Sequence, residues 1–188
     1  LRELQATLDA RLVRLLGRRG FVFDEIEAAR AVDSARLVDL LGRLQALRDA
    51  RGTPALRALA AVARRIAATL DGAESHGGRA AETGLSEEAL TAPADGLHPA
   101  EAGLADDLAR LEPEVADAAE ARDFARCLQS LGELPPSIDR LLSEVLVLDD
   151  DAARRAARLD LLERVRRLFR HVARFEDLRP VDAVQSAT

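Results

Sequence analysis

The sequence lacks several residue types, and their absence narrows the possible fold classes. Lysine, asparagine, tyrosine, methionine and tryptophan do not occur among the 188 residues, and aromatic residues make up only 3% of them. Leu, Ala, Arg, Glu and Asp dominate instead. Most of these residues favour helices, whereas the β-branched and aromatic residues that favour strands are few. We therefore expect an all-α protein with an aliphatic core.

A second group of absences concerns disulfides, metals and membranes. The single cysteine, Cys127, has no partner for an internal disulfide and is predicted to be a small buried apolar residue. His76 and His98 have no neighbouring cluster of ligands, so they are interpreted as exposed loop residues and no metal site is predicted. No apolar run reaches the about 18 residues that span a bilayer, and nothing resembles a secretory leader. A cytoplasmic protein without membrane contact is expected.

The charged residues are unevenly distributed along the chain. All 27 positive charges are arginines, and 33 acidic residues bring the net charge to −6. Residues 1–75 carry 13 arginines against 10 acids, residues 76–151 carry 5 against 18, and residues 152–188 carry 9 against 5. An acidic chain of this kind is not an indiscriminate nucleic-acid binder, and no DNA partner is predicted. The two basic end segments can still form a local surface that faces phosphates.

Apolar residues at helical spacing predict a first helical block in the N-terminal part of the chain. Helices are expected over residues 1–19, which Gly20 ends, over residues 24–31, from Asp33 or Ser34 to a stop at Gly52, and over residues 54–70. Phe21 and Phe23 are expected to anchor the turn after the first helix. Residues 72–98 lose the periodicity and are rich in Gly and Pro, so they are predicted to be a linker.

A second helical block is predicted over residues 99–188, so that two helical bundles are joined by the linker after a first domain of residues 1–71. Its helices are expected over residues 99–111, residues 113–121, a segment capped by Asp123, residues 136–146 and residues 152–174. Asp149, Asp150 and Asp151 directly precede the last helix. Because acidic groups complement the positive end of a helix and no calcium-loop spacing is present, capping is expected there.

The order of motifs over residues 135–178 resembles a known family. A Pro-Ser-Ile-Asp helix start is followed by a Val-x-Val-x-x-Asp turn, an Arg-x-x-Arg-Leu-x-Leu-Leu helix, a Leu-Phe-x-x-Val-Ala ending and a final Phe. This order resembles the C-terminal end of the bacterial glycyl-tRNA synthetase beta subunit, the helical DALR-type anticodon-binding domain shared with arginyl-tRNA synthetase. The segments RRGFVFDEIEAARAVD and ALRALAAVARRIAATL resemble earlier parts of the same subunit.

The resemblance implies a function and a set of partners. It implies that this chain, which begins with Leu1 rather than Met, is the C-terminal part of a longer product that holds glycine-specific tRNA. The parent complex would attach glycine with ATP, and its other partners would be an alpha subunit and a second beta subunit. No phosphate loop or other catalytic constellation occurs in the sequence, so neither a catalytic centre nor a cofactor is expected in this part.

Eight arginines are candidates for contact with the tRNA. Two form the basic pair of the resembling segment, two lie in the Arg-x-x-Arg motif, and four lie along the last helix, where we expect them to face away from the core: Arg64 and Arg65, Arg155 and Arg158, and Arg166, Arg167, Arg170 and Arg174.

Other interpretations stay open. Arg158 together with Arg155 would tie together the acidic corner, residues 149–151, or its carbonyls. The stripe of Arg166, Arg167, Arg170 and Arg174 on the last helix would be solvated only. The whole chain would then be a helical interaction or scaffold module without an RNA ligand. It would alternatively be the arginyl-tRNA synthetase version of the domain.

Overall fold

The computed structural model describes residues 2–32, 36–75 and 98–179, with side chains from residue 10 onward except that of residue 75. In these ranges the chain forms eight α-helices, one 3-10 helix and no strand, which confirms the all-α prediction. The helices are α1 (Arg2–Arg18), α2 (Phe23–Arg30), α3 (Leu37–Ala50), α4 (Pro54–Ser75), α5 (Pro99–Glu120), α6 (Phe124–Leu131), α7 (Pro135–Glu144) and α8 (Ala152–Phe169), followed by the 3-10 helix (Phe175–Asp177).

The turns between the first four helices follow the predicted signals. Gly20 after α1 and Gly52 after α3 have φ values of +88° and +77°, a backbone conformation that glycine adopts without a steric penalty. The Thr53 hydroxyl accepts a hydrogen bond from the Leu56 N–H at 3.3 Å, and Pro54 begins α4. The predicted start of α3 at residue 33 or 34 lies outside the described residues.

The two phenylalanines after α1 have different environments. Phe21 is 9% exposed, and the Arg48 guanidinium lies over its ring at 5.0 Å from the centroid. Phe23 is 64% exposed, because as the first residue of α2 it lies on the solvent side of that helix. The prediction that both residues anchor the turn is therefore confirmed for Phe21 and wrong for Phe23.

Pro113 lies inside α5 and does not begin a new helix, so the two helices predicted for this stretch are one. A proline in a helix interior removes one backbone hydrogen bond, which costs about 3 kcal/mol. Both Pro113 and Ala109, whose carbonyl loses that bond, are exposed to water. On the opposite face Leu108, Leu111 and Val115 are fully buried. Packing on both sides of the proline therefore keeps the helix continuous.

The last long helix ends at Phe169, five residues before the predicted end. Phe175 lies six residues after Phe169, on another side of a regular helix, so the chain must leave the helix for the two rings to meet. They pack edge to face with centroids 5.3 Å apart. The Arg174 N–H then donates to the Ala28 carbonyl at 3.0 Å, which ties this segment to α2.

The two predicted blocks pack against each other. Helix α4 contacts α7, α8 and the 3-10 helix, and α3 contacts α6. Residues 72–75 form the end of α4 instead of the start of a linker, and the rest of the predicted linker up to residue 97 lies outside the described residues. Cys127 is fully buried, as predicted, and burial raises the pKa of its thiol to about 11. Over the described ranges, no helix is long and apolar enough to cross a membrane.

Candidate nucleic-acid interface

Arg158 is buried at the acidic corner between α7 and α8. It is 7% exposed, and its guanidinium forms an ion pair with Glu101 of α5, which is 4% exposed. It also donates to the Asp149 carboxylate at 2.6 Å and to the Leu146 carbonyl at 2.8 Å. All three acceptors belong to the protein, so Arg158 connects α5, the corner and α8.

Arg155 and Asp151 complete the corner. Arg155 donates to the carbonyls of Asp149 and Asp150 at 2.5 and 3.3 Å, so the interpretation that Arg155 and Arg158 together hold this corner is confirmed. The Asp151 side chain accepts the Arg154 N–H at 2.9 Å and caps α8, as predicted. Asp149 accepts the Asp151 N–H, and this bond, together with Arg158, lowers the pKa of the Asp149 carboxyl below its usual range.

The four arginines near the end of α8 differ in how they are engaged. Arg166 makes a two-pronged contact with Glu163 at 3.0 and 2.6 Å. Arg174 lies beyond the end of α8 and pairs with Glu176 and Asp177 at 3.2 and 3.4 Å. The predicted continuous stripe is therefore interrupted, because the helix ends before Arg174.

Arg167 and Arg170 are the more accessible members of this group. The Arg167 side chain is 66% exposed, and its guanidinium lies 3.9 Å from the nearest acidic oxygen, on Asp160. Arg170 is exposed at the end of α8 and has no side-chain partner among the described residues. Exposed ion pairs at such distances contribute little to stability. Both guanidiniums are therefore available to an anion.

The basic pair on α4 is exposed but engaged with other parts of the chain. Arg64 donates to the Leu178 carbonyl at 2.9 Å, which links α4 to the segment after the 3-10 helix. Arg65 forms an ion pair with Asp139 of α7. Both arginines are exposed, so an incoming phosphate competes with the existing acceptors.

Two further arginines, which the sequence reasoning missed, lie near Arg64. Arg57 and Arg179 line the same surface groove as Arg64. A sequence signal existed for Arg57, because it precedes Arg64 by seven residues, two helical turns, and therefore lies on the same face of α4. No such signal existed for Arg179, which only the course of the chain after α8 brings to this face.

The histidines also differ from the sequence-based interpretation. His98 is half-buried and caps α5, since its Nδ1 accepts the Ala100 N–H at 3.2 Å, so the expectation of an exposed loop residue was wrong. His76 lies outside the described residues. Among the side chains that are described, no three His, Cys, Asp or Glu residues lie close enough together to hold a metal ion.

His171 predicts a pH dependence of stability. Burial, and then the neighbouring Arg43 charge, lower the pKa of its imidazole below the usual value of about 6.5. The unfolded chain therefore binds a proton near pH 6.5, where the folded chain does not. Stability should fall as the pH drops from about 6.5 towards the lowered pKa, and it should level off below that pKa.

Urea midpoints measured from pH 8 to pH 5 test this expectation. The His171→Gln variant should show a flatter profile than the wild type over that range. Profiles that run parallel would contradict it.

The fold and these arginines define a class of protein, an all-α domain that presents exposed guanidinium groups. The particular family follows from comparison with known sequences. The pattern described as "DALR anticodon binding domain" matches residues 61–183, from the middle of α4 to beyond the 3-10 helix. The chain belongs to this family, as the resemblance over residues 135–178 predicted.

Three curated relatives that the chain matches share the same name. The chain is 33% identical over 166 residues to the glycine–tRNA ligase beta subunit of Anaeromyxobacter dehalogenans, which covers 88% of this chain and 22% of the relative. It is 34% identical over 155 residues to that of Shewanella oneidensis (82% and 21%) and 33% identical over 174 residues to that of Ralstonia nicotianae (91% and 23%). The chain thus spans about a fifth of the length of the curated relatives it matches.

Proposed function

We propose that this chain is the tRNA-holding part of a glycine–tRNA ligase beta subunit. The observation that carries the proposal is the match of the anticodon-binding family over residues 61–183, combined with the three relatives described above, each of which is named as this subunit. In the complete enzyme, glycine would be attached with ATP outside this chain. An alpha subunit and a second beta subunit would be its protein partners, and glycine-specific tRNA its ligand.

The eight candidate arginines would have different roles in tRNA binding. Arg167 and Arg170 are best placed to bind phosphates, because their guanidiniums are exposed and weakly engaged or unengaged within the described chain. Arg64, Arg65 and Arg174 would exchange surface partners for phosphate oxygens. The other candidates, Arg155, Arg158 and Arg166, would hold the corner and α8 in place. Phosphate contacts position the RNA, and contacts with unstacked bases select it.

The two alternative functions receive less support. A scaffold module without an RNA ligand would need only the packed helices, and no observation on these helices favours it over the family's binding role. The arginyl-tRNA synthetase version of the domain has less support, because the three relatives described above, which match 82% to 91% of the chain, carry the glycine name.

A salt titration of tRNA binding tests the proposal. Affinity for glycine-specific tRNA should fall steeply with salt, since each phosphate contact contributes about −0.7 to −0.9 to the slope of log affinity against log salt. In the Arg167→Gln/Arg170→Gln double variant, the slope should be flatter by about 1.4 to 1.8, the sum of two lost contacts.

A matched control uses two other surface arginines. Arg126 is exposed on α6, and Arg140 on α7 makes only an exposed pair with Glu144. The Arg126→Gln/Arg140→Gln variant removes the same charge and should keep the wild-type slope. Wild-type protein that does not bind tRNA at low salt would refute the proposal. Tighter binding of arginine-specific than of glycine-specific tRNA in competition would favour the arginyl alternative instead.

A further inference from the structure

A groove between the start of α2, the start of α4 and the segment after the 3-10 helix has the size of a small-ligand site. Its volume is about 320 Å³, near the lower end of the about 300 to 1,000 Å³ of ligand pockets. Its apolar lining comes from three separate parts of the chain: Val22, Leu56, Ala60 and Leu178. Ala60 and Leu178 are buried, so their packing keeps these walls in place.

The groove carries a positive charge that the protein does not fully compensate. Four arginines and two acidic residues line it, a formal excess of two positive charges. Both acids are used by the protein. Glu25 is buried and holds Arg51 through two bonds of 2.7 and 2.6 Å, while Asp24 accepts the N–H groups of Glu25 and Arg179 at 3.0 and 2.8 Å.

Two guanidinium groups at the groove are therefore left for a ligand. Arg57 and Arg179 are exposed, and no side-chain partner for either exists in the part of the chain that the structure describes. Arg64 uses one nitrogen for the Leu178 carbonyl and keeps its remaining donors. The site thus combines an apolar floor with up to three cationic groups at its edge.

We propose that this groove binds one unpaired nucleotide of an RNA. The phosphate would lie against Arg57 and Arg179, and the base would lie on the apolar floor beneath the Arg64 guanidinium. Single-stranded RNA exposes a flat base and a phosphate, and proteins bind such nucleotides by stacking them on apolar or guanidinium surfaces. A base-paired nucleotide would not fit this groove, because its base is held against the base of the opposite RNA strand.

The identification as a nucleotide site rests on the proposed tRNA-binding function, but the site itself lies mostly outside the family match. Of the residues that line the groove, only Arg64, Leu178 and Arg179 fall within residues 61–183. The others precede residue 61. Family membership therefore does not assign this groove, which exists only because α2 and α4 pack against the end of the chain.

Binding of a seven-nucleotide single-stranded RNA to the 188-residue chain tests the proposal. The Arg57→Gln/Arg179→Gln variant should bind it at least tenfold more weakly than the wild type, because two charge-assisted contacts are lost. Its salt slope should be flatter by about 1.4, two contacts at about 0.7 each for single strands. The Arg126→Gln/Arg140→Gln variant should stay within about twofold of the wild type.

Two further probes separate the contribution of the base to binding from that of the phosphate. A heptamer with abasic residues should bind the wild type several-fold more weakly with an unchanged salt slope. A blunt duplex of the same sequence should bind the wild type and the Arg57→Gln/Arg179→Gln variant equally. An abasic heptamer that binds as well as the normal one would mean a phosphate site only, and it would overturn the proposal. An acidic heptapeptide that competes as well as the RNA would overturn it too.

Failure of the nucleotide-site proposal can be distinguished from failure of the proposed tRNA-binding function. If tRNA binds with its steep salt dependence but the groove variant binds the heptamer like the wild type, the nucleotide site is wrong and the tRNA-binding role stands. If tRNA does not bind but the heptamer binds through Arg57 and Arg179, the groove proposal stands and the tRNA-binding role is wrong.

Discussion

Replacing Phe175 by alanine should destabilise the protein by about 4 kcal/mol, because removing a buried phenylalanine costs the lost transfer free energy and leaves a cavity. Phe175 is fully buried and packs edge to face against Phe169. The 3-10 helix that carries it contacts α2 and α4, so its ring joins the end of the chain to the N-terminal helices. Domains of this size are stable by about 5 to 15 kcal/mol, so the loss is a large fraction of the total.

Urea denaturation of the Phe175→Ala variant measures this loss. Phe23→Ala is the matched control, since it removes the same atoms from a ring that is mostly in water, and it should change the free energy of unfolding by less than about 0.5 kcal/mol. A loss below about 1 kcal/mol for Phe175→Ala, or an equal loss for both variants, would show that the ring does not hold this junction.

Replacing Arg158 by glutamine should cost about 3 kcal/mol of stability, because it leaves a buried carboxylate without its counter-charge, with the His98 N–H as its remaining partner at 2.7 Å. Glu101 is the charge left behind, and it is almost inaccessible to water. The expected value lies at the low end of such losses, since Asp149 stays partly exposed and regains water. The corner between α7 and α8 should loosen in the same variant, because the Leu146 carbonyl also loses its donor.

Two comparison variants test this explanation of the Arg158 effect. Arg166→Gln breaks a partly exposed pair with Glu163 within α8, with side chains 26% and 25% exposed, and should cost less than about 1 kcal/mol. The Glu101→Gln/Arg158→Gln double variant should be more stable than Arg158→Gln alone, because no buried charge remains. If the double variant is the less stable of the two, an unpaired Glu101 is not the cause.

The motif that carried the family resemblance is largely a packing motif. In the Leu-Phe-x-x-Val-Ala ending and the final Phe, every named residue is buried: Leu168, Phe169, Val172, Ala173 and Phe175. In the Arg-x-x-Arg motif, both arginines bind acceptors of the protein itself. The resemblance therefore identified the family correctly through its core and corner, and Arg167 and Arg170, which are proposed to bind RNA, occupy positions whose residue type the motif does not specify.

The helix break predicted at Pro113 and the predicted end of α8 were wrong for the same physical reason. Pro113 is a strong local stop signal, but Leu108 and Leu111 before it and Val115 after it are fully buried and hold α5 together. The apolar spacing of α8 continues past Phe169 in sequence, yet the chain leaves the helix so that Phe175 reaches α4. In both places packing between distant segments outweighs a local preference, because each buried ring or leucine contributes as much as the local signal.

The sequence by itself determined the all-α class, the starts and stops of most helices and the family, because helical spacing, caps and glycine stops act within a few residues of each other. Only the tertiary structure decided which arginines are free. Glu101 meets Arg158 across 57 residues, and Arg179 reaches the groove beside Arg57 only through the course of the chain after α8. A charge is paired or available according to what lies within a few ångströms of it, and separation along the chain does not specify that distance.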